Sequence, residues 1–321
     1  MTVAVCTLFE RDYHHGVVSL FNSLAQRGYE GRLYAGYRGA VPAWASGSKP
    51  VAFGAWQGAR SIAVGKTGEI VLLPMRTSAH FTNIKPDFML ELLDTAGADL
   101  DGLFYLDPDI CLAAGWPFML DWLSCGVALC EDVNSPLEAN HPRRVGWRRF
   151  FGEQGAALHC RTLAYVNGGC VGVLRAHRQF LERWQTLSAQ MADLIGGLAA
   201  SQLEGGSEMR QLGFANCFDR SDQDALNATV EATEIPVSIL PRAAMGFEPG
   251  TLVLPHAVGA RKPWRRRYFS EALQGIRPTM ADQLFWQCAS GPLNSIPATA
   301  ILRNRYALAL ASGLGRFYAR K

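Results

Sequence analysis

The stretch FYLDPDICL, residues 104–112, is an apolar run that two carboxylates, Asp107 and Asp109, interrupt. The segment LFYLD at 103–107 is almost continuously apolar, which is typical of a strand covered on both faces of a parallel sheet. Ionised carboxylates are costly to bury without partners, so the two acids require a metal ion, nearby arginines or the water at the end of the strand. The stretch therefore predicts a buried strand that ends at a polar site.

Similar apolar runs alternate with amphipathic stretches along the rest of the chain. Strands are predicted at 2–9, 32–37, 69–74, 103–107, 126–131, 165–175, 239–241 and 251–256, and helices at 14–28, 86–94, 178–198 and 222–230. This alternation predicts an α/β fold with a mainly parallel sheet and helices on both faces. We expect one large domain over 1–265 and a helical C-terminal appendage over 266–321.

The composition is typical of a globular, enzyme-like protein. Apolar residues make up 49% and charged residues 18% of the 321 residues, which excludes a disordered chain. The eight cysteines are scattered without a CxxC pair, and this indicates reduced cysteines in a cytoplasmic protein. No signal peptide and no membrane-spanning run are recognisable, so a soluble, cytoplasmic protein is expected.

Basic residues are concentrated in three segments, although the formal net charge is only +3. These segments are RRVGWRR (143–149), which we expect to form a loop, RKPWRRR (261–267), and the tail from Arg303 onward. Local basic clusters predict phosphate-bearing or other anionic partners. The tail mixes apolar and basic residues, so a helix on the membrane surface and a last helix packed on the sheet are both open.

The spacing of Asp107 and Asp109 suits a metal site. They end a predicted parallel strand, at the edge where such sheets bind ligands. In an extended chain Asp-x-Asp places both acids on one side, and Pro108 favours the extended shape of the residue before it. Two hard oxygen donors suit Mg²⁺ or Mn²⁺ that also binds a diphosphate. A solvated loop start is the alternative.

Three further stretches carry polar groups that this chemistry needs. They are YVNGG (165–169), SDQDALN (221–227) and PHAVGARKPWRRR (255–267). The two glycines of the first allow the backbone to approach a ligand, with a β-bulge as the alternative. Helix capping explains Ser221 and one aspartate of the second, but it leaves Gln223 unexplained. In the third, His256 offers a neutral imidazole and Lys262 a phosphate-binding ammonium.

The ordered set YLDPD, YVNGG, DQD and HxxGxxKPW resembles the retaining family 8 glycosyltransferases of the GT-A fold, a group that includes glycogenin and bacterial lipooligosaccharide galactosyltransferases. TLFERDYHHGVVSLFNSL resembles the opening strand, acidic-Tyr turn and helix of that group, so the resemblance runs from Thr7 to about Trp264. It implies a mixed, mainly parallel sheet and a metal-dependent enzyme. Such an enzyme moves a sugar, with retention, from a nucleoside-diphosphate donor, expected to be UDP-linked, to a hydroxyl of a glycan, glycolipid or other acceptor.

The resemblance also implies roles for individual residues. The ligands of Mn²⁺ or Mg²⁺ would be Asp107, Asp109 and His256. The residues that would hold the nucleotide are Thr7, Asp12 and Tyr13 at the base and ribose, Lys85 near the donor, and Gly259 and Lys262 at the diphosphate. The residues that would contact the donor sugar are Asn167, Gly168 and Asp222, with Gln223 on the face of the anomeric carbon opposite the leaving group.

None of these motifs supplies the carboxylate nucleophile that retaining glycosidases use. A front-face route, in which the leaving phosphate takes the proton of the acceptor, therefore fits better, and Asp224 or Asp132 is left as a base or an acceptor contact. Two other classes stay open. A sugar nucleotidyltransferase would carry a glycine-rich basic loop after the first strand, which TLFERDYHHG lacks. A non-catalytic nucleotide-sugar binder would not need the three metal ligands.

Overall fold

The computed structural model describes residues 1–97, 100–199 and 217–314. The strands are β1 (Val3–Glu10), β2 (Arg32–Arg38), β3 (Lys49–Pro50), β4 (Arg60–Val64), β5 (Gly68–Pro74), β6 (Gly102–Leu106), β7 (Val127–Glu131), β8 (Val166–Leu174) and β9 (Val237–Leu240). The helices are α1 (His14–Gln26), α2 (Lys85–Thr95), α3 (Trp116–Ser124), α4 (Pro142–Glu153), α5 (Arg178–Ala192), α6 (Ser221–Glu231), α7 (Tyr268–Ala272), α8 (Met280–Cys288) and α9 (Ala298–Leu314).

The strands form one sheet in the order β3-β4-β5-β2-β1-β6-β8-β7-β9. The run β5-β2-β1-β6 and the pair β7-β9 are parallel, whereas β8 is antiparallel to both of its neighbours and β3-β4-β5 is an antiparallel edge. The sheet is therefore mixed and mostly parallel, which confirms the predicted class. Because β8 runs in reverse, its first residues lie at the same edge as the C-terminal ends of β1 and β6.

Two hydrophobic cores cover the opposite faces of the sheet. Alternate residues of β1 enter different cores, with Val5 on one face and Cys6 on the other. The core around Cys6 is closed by α2, α4, α5 and α6, and the core around Val5 by α1 and α3. Strands buried on both faces are read in sequence as continuous apolar runs, which is why the central strands were predicted correctly.

Two predicted elements are wrong. The segment 143–149 is not a loop but the first half of α4, whose Trp147 and Phe151 are fully buried one helical turn apart. The segment 251–256 is not a strand, since the Val253 and Leu254 N–H groups both donate to the Ala244 carbonyl. These bonds hold the segment against a 3₁₀ turn. An isolated β-bridge joins the segment to Ile110.

The C-terminal helices form a small third core of their own. Tyr268, Phe285, Trp286 and Ile301 share this core with Cys111, which follows the acidic pair. The domain boundary at 265 stays a prediction, and the end of the tail, 315–321, lies outside the described residues. None of the helices within the described ranges is long and apolar enough to cross a membrane.

Candidate functional site

The acidic pair that follows β6 lies in a tight turn at the C-terminal edge of the sheet. The Asp107 N–H donates to the Gly169 carbonyl at 2.8 Å, and the Ile110 N–H donates to the Asp107 carbonyl at 3.0 Å. The chain therefore turns at Pro108 and does not stay extended, which differs from the geometry expected from the sequence. The two carboxylates converge because this turn brings Asp109 back toward Asp107.

His256 completes the cluster from a distant part of the chain. The His256 Nε2 atom lies 3.3 Å from Asp109 Oδ1 and 3.7 Å from Asp107 Oδ2. The backbone fixes this approach, since the His256 N–H donates to the Met245 carbonyl at 3.0 Å and the Ala257 N–H donates to the Asp109 carbonyl at 3.1 Å. Each of the three side chains offers one ligand atom, a carboxylate oxygen or an imidazole nitrogen, and these three atoms lie within 4.8 Å of one another.

Lys262 lies beside the cluster and neutralises one acid. Its buried ammonium donates to Asp109 Oδ2 at 2.5 Å and to the Ala257 carbonyl at 2.8 Å. Burial alone would raise the pKa of the Asp109 carboxyl, but His256 and Lys262 hold it well below its ordinary value. Asp109 is therefore a buried carboxylate whose ionised form is stabilised by His256 and Lys262.

The donor set fits a divalent cation. Two carboxylates and one imidazole are ligands that Mn²⁺ accepts, and carboxylates are the ligands of Mg²⁺. The site also requires a glycine, because a Cβ atom on Gly169 would lie 2.5 Å from His256 Cε1 and 2.8 Å from Asp107 Oδ2. The space in which the three side chains meet therefore depends on the missing side chain of Gly169.

Lys85 connects the acidic cluster to the start of α6. Its buried ammonium donates to the Gly168 carbonyl at 2.8 Å and to Asp222 Oδ2 at 3.0 Å, and it lies 3.3 Å from Asp107 Oδ1. Burial lowers the pKa of Lys85, but the two carboxylates outweigh this and raise it above its ordinary value. A permanently charged lysine thus fixes Asp107 and Asp222 relative to each other.

The first residues of β8 and α6 form a hydrogen-bonded wall next to this lysine. The Asn167 side chain accepts from the Gly169 N–H at 2.8 Å and donates to Asp132 Oδ2 at 2.7 Å. The Gly168 N–H donates to Gln223 Oε1 at 3.2 Å. The Gln223 Nε2 amino group is buried and makes no hydrogen bond of good geometry in the described part of the chain, and the Tyr165 hydroxyl is a polar neighbour of the Gln223 side chain.

Asp224 is held inside the protein. Its oxygens accept from the Tyr165 hydroxyl at 2.7 Å and from the Arg220 N–H at 2.8 Å, and Arg143 lies 3.6 Å away. Burial raises the pKa of Asp224 to about 7, against the lowering effect of Arg143. With no exposed surface, Asp224 anchors the first turn of α6 and is poorly placed as a base for an acceptor.

The turn after β1 is tied to the loop that carries Lys262. Asp12 accepts from the Trp264 indole N–H at 2.9 Å and forms an ion pair with Arg265, so its carboxylate is already bonded. The Tyr13 ring lies 5.6 Å from Lys262 Nζ and 5.4 Å from Arg265 Cζ. Two cations therefore face an aromatic ring at the place where the sequence predicts nucleotide binding.

Thr7 and Gly259 are two further residues that the sequence predicts at the nucleotide. Thr7 is fully buried in β1, and its hydroxyl has no partner among the described residues. Gly259 has φ +83° and follows His256 by three residues, so its backbone adopts a conformation that favours glycine. The structure therefore brings Asp107, Asp109, His256, Lys262 and Tyr13 together and places the donor-sugar candidates along the adjoining wall.

No protein-family model matches the chain, and no curated protein matches it in sequence. Among solved structures, it is similar to the galactosyltransferase LgtC in complex with donor and acceptor sugar analogues, with a TM-score of 0.50 and 15% identity over 92% of this chain and 98% of LgtC. The chain has a GT-A glycosyltransferase fold.

Two larger glycosyltransferases also match. The glycosyltransferase GlyE of Streptococcus pneumoniae aligns with a TM-score of 0.47 and 13% identity over 97% of this chain and 64% of GlyE. The bifunctional glycosyltransferase WbbM aligns with a TM-score of 0.48 and 12% identity over 95% of this chain and 52% of WbbM. This chain therefore spans less than two thirds of either protein.

Within this GT-A fold, three side chains to which the sequence assigned no role contact the candidate residues. The Tyr105 hydroxyl donates to Asp107 Oδ1 at 2.9 Å, and the position of Tyr105 in β6, two residues before Asp107, could have indicated this. Trp264 and Arg265 bond Asp12, which lies 252 and 253 residues away. No local pattern signals that contact, because it depends on how the loop after His256 folds back.

Proposed function

We propose that the protein is a metal-dependent glycosyltransferase that moves a sugar from a nucleoside-diphosphate donor, UDP-linked, to a hydroxyl of a glycan or lipid-linked glycan. The observation that carries the proposal is the convergence of Asp107, Asp109 and His256 at the C-terminal edge of the sheet. Lys262 lies directly beside them, and its Nζ atom lies over the Tyr13 ring. A cation site next to a buried ammonium and an aromatic ring suits the diphosphate and base of a nucleotide.

Asp107, Asp109 and His256 would hold Mn²⁺ or Mg²⁺. When bound, such a cation supplies positive charge that stabilises the leaving diphosphate. Lys262 would serve as the second cationic contact by donating to a phosphate oxygen, as an ammonium commonly does. Thr7 and Tyr13 would bind the base and ribose, while Asp12 would act mainly through Trp264 and Arg265, to which it is bonded.

The donor sugar would lie against the wall formed by β8 and α6. The Gln223 amino group makes no hydrogen bond of good geometry within the described residues, and Asn167 and Gly168 lie beside it, with the Gly168 N–H donating to Gln223 Oε1. Lys85 keeps Asp222 in place through a 3.0 Å hydrogen bond. These groups would orient the anomeric carbon before transfer, which lowers the entropic part of the barrier.

We infer transfer with retention through a front-face route. Asp222 is paired with Lys85, and both oxygens of Asp224 are bonded, so neither is a good nucleophile. The acceptor oxygen would bond to the anomeric carbon as the bond from that carbon to the diphosphate oxygen breaks, and a phosphate oxygen would take the proton. Product of inverted configuration, read from the anomeric proton coupling by NMR, would refute this route.

We propose a cytoplasmic location from the state of the cysteines. All eight are free thiols, and six of them are buried in apolar surroundings. Free thiols are typical of a reducing compartment, which supports a cytoplasmic protein.

The proposal is tested by the thermal stability of the protein with nucleotides. UDP or a UDP-sugar should raise the melting temperature only when Mn²⁺ or Mg²⁺ is present, because binding to the folded state stabilises it by mass action. GDP and its sugars serve as the comparison. Absence of any metal-dependent stabilisation by any nucleotide would contradict the proposal, and incubation with a UDP-sugar and glycan acceptors then tests transfer itself.

A matched pair of glycine variants links this result to the metal cluster. Gly169→Ala places a methyl group against His256 and Asp107, so it should abolish the metal-dependent stabilisation. Gly152→Ala is the control, since a Cβ at this exposed position in α4 meets no atom within 4 Å. Equal metal-dependent stabilisation of both variants would place the cation elsewhere.

A further inference from the structure

The last helix of the described chain presents apolar side chains on two opposite faces. Its inner face, with Ile301 and Ala311, is buried in the third core. On the outer face, Leu302, Tyr306 and Leu310 are 54%, 66% and 61% exposed. These three residues are spaced four apart and so form one row along α9. We call Leu302, Tyr306 and Leu310 the outer row.

A second pair of exposed apolar side chains lies on the neighbouring helix. Phe269 and Leu273, on α7 and just after it, are each 52% exposed, while Tyr268 and Ala272 of the same turn are buried in the third core. Helix α7 packs directly against α9. Five large apolar side chains, each more than half exposed, thus lie on one small unit, which is more than scattered surface residues explain.

The charge of this unit differs in sign from the rest of the chain. Residues 266–321 contain eight of the 31 Lys and Arg residues but only two of the 28 Asp and Glu residues. Both acids, Glu271 and Asp282, are bonded to Arg266. The segment is therefore strongly basic, whereas the preceding 265 residues are slightly acidic.

This combination selects one kind of partner. An apolar row on a helix that also carries basic residues suits the interface of an anionic lipid bilayer, where the apolar side chains enter the acyl boundary and the cations meet phosphate headgroups. A second copy of this chain would instead bring two strongly basic segments together, which their mutual repulsion opposes. Helix α9 itself does not need to cross the bilayer for this contact.

We propose that the outer row, together with Phe269 and Leu273, docks the protein on an anionic membrane surface. Helix α7 begins at Tyr268, four residues after Trp264 and six after Lys262, so docking would place the candidate site close to the membrane. The contact deepens the proposed function, because it would present the site to a lipid-linked acceptor. Lipid binding itself does not depend on catalysis.

The test is co-sedimentation of the full chain with vesicles. Vesicles of phosphatidylcholine containing phosphatidylglycerol should bind the protein, and vesicles of phosphatidylcholine alone should bind it weakly. The triple variant Leu302→Ser, Tyr306→Ser, Leu310→Ser should weaken binding to the anionic vesicles by about tenfold or more, since three apolar side chains no longer enter the interface. Its melting temperature should stay close to that of the parent, because all three side chains point to solvent.

The matched control is a triple variant at exposed apolar residues outside the C-terminal helices, Val41→Ser, Val51→Ser, Leu163→Ser. This control should bind vesicles like the parent. Equal binding by parent and outer-row variant overturns the proposal, and so does a dimer of the parent that the outer-row changes convert to a monomer. Metal-dependent stabilisation by nucleotides should be unchanged in the outer-row variant, so failure of membrane docking and failure of the proposed function give different results.

Discussion

Asp109 is an ionised carboxylate that the protein keeps almost without exposed surface. It does so with Lys262, which is itself buried and donates to Asp109 Oδ2. Asp109→Asn would leave a buried ammonium facing a neutral amide, and breaking a buried pair from one side costs about 3–5 kcal/mol. We therefore expect a fall of this order in the free energy of unfolding, measured with denaturant in the presence of a chelator.

The double variant Asp109→Asn, Lys262→Met provides the control for this prediction. It removes both charges, so most of the lost stability should return, because replacing a whole buried pair by uncharged groups is often nearly neutral. Neither variant should keep metal-dependent stabilisation by a nucleotide. If Asp109→Asn alone unfolds at the same denaturant concentration as the parent, the pair does not hold the loop and the assigned role of Lys262 is wrong.

Asp224 makes the free energy of unfolding depend on pH, and the direction of this dependence can be derived. Burial raises its pKa to about 7 from 3.8, so the folded state keeps a proton that the unfolded state has lost. The stability contributed by Asp224 is complete below pH 3.8 and declines as the pH rises to about 7. Relative to Asp224→Asn, the parent should lose about 3 kcal/mol between about pH 5 and about pH 8.

This prediction is measured as a difference between two proteins. The free energies of unfolding of the parent and Asp224→Asn are compared at each pH, so that all other titrations cancel. A difference that does not change with pH would mean that Asp224 is ionised throughout, with Arg143 as its full counter-charge.

At the scale of residues, the sequence could predict which side chains meet but not what they bond. Asp107, Asp109 and His256 were identified from spacing and resemblance, and they do converge. Lys85 could be placed near the donor, yet its bridge from Asp107 to Asp222 requires three separate elements to meet at one atom. Such a bridge depends on tertiary packing, which no local spacing encodes.

At the scale of elements, α4 shows where sequence patterns mislead. Four arginines within 143–149 suggest a solvated or anion-binding loop. In the structure, Arg144 and Arg148 both bond Glu231, a buried acid at the end of α6. A basic cluster indicates a phosphate partner only where the protein itself does not supply the acids, and this can be decided only once α4 and α6 are placed side by side.

This pairing predicts that two similar arginine substitutions lower the free energy of unfolding by different amounts. Arg144→Met leaves Glu231 short of one partner in a buried place, so it should lower the free energy of unfolding by about 3 kcal/mol or more. Arg178→Met removes an exposed pair with Asp94 and Glu182, for which about 0–1 kcal/mol is expected. Denaturant unfolding of both variants checks the prediction, and equal losses would contradict it.

At the scale of the whole molecule, the class of the fold was predictable and the order of its strands was not. Continuous apolar runs identify central strands such as β1 and β6, because both of their faces are covered. The reversed strand β8 reads like its parallel neighbours, so the sequence does not reveal its direction. Short edge strands such as β3 have little apolar pattern and were missed.

The way in which the C-terminal helices join the sheet predicts how the molecule unfolds. Asn22 is buried in α1, and its side chain donates to the Cys288 and Leu293 carbonyls at 2.8 Å each and accepts from the Leu293 N–H at 3.2 Å. Cys111 adds an apolar contact to the third core from the turn next to the acidic pair. Because α1 also closes the core around Val5, the appendage and the sheet share a structural element.

We therefore expect a single cooperative transition in differential scanning calorimetry. Asn22→Ala should shift this whole transition to lower temperature, with a loss of about 3 kcal/mol for three unmade hydrogen bonds. Asn294→Ala is the matched control, because it removes one long bond at an exposed site and should change stability by less than about 0.5 kcal/mol. Two separate transitions, of which Asn22→Ala shifts only the smaller, would show instead that the C-terminal helices fold as an independent unit.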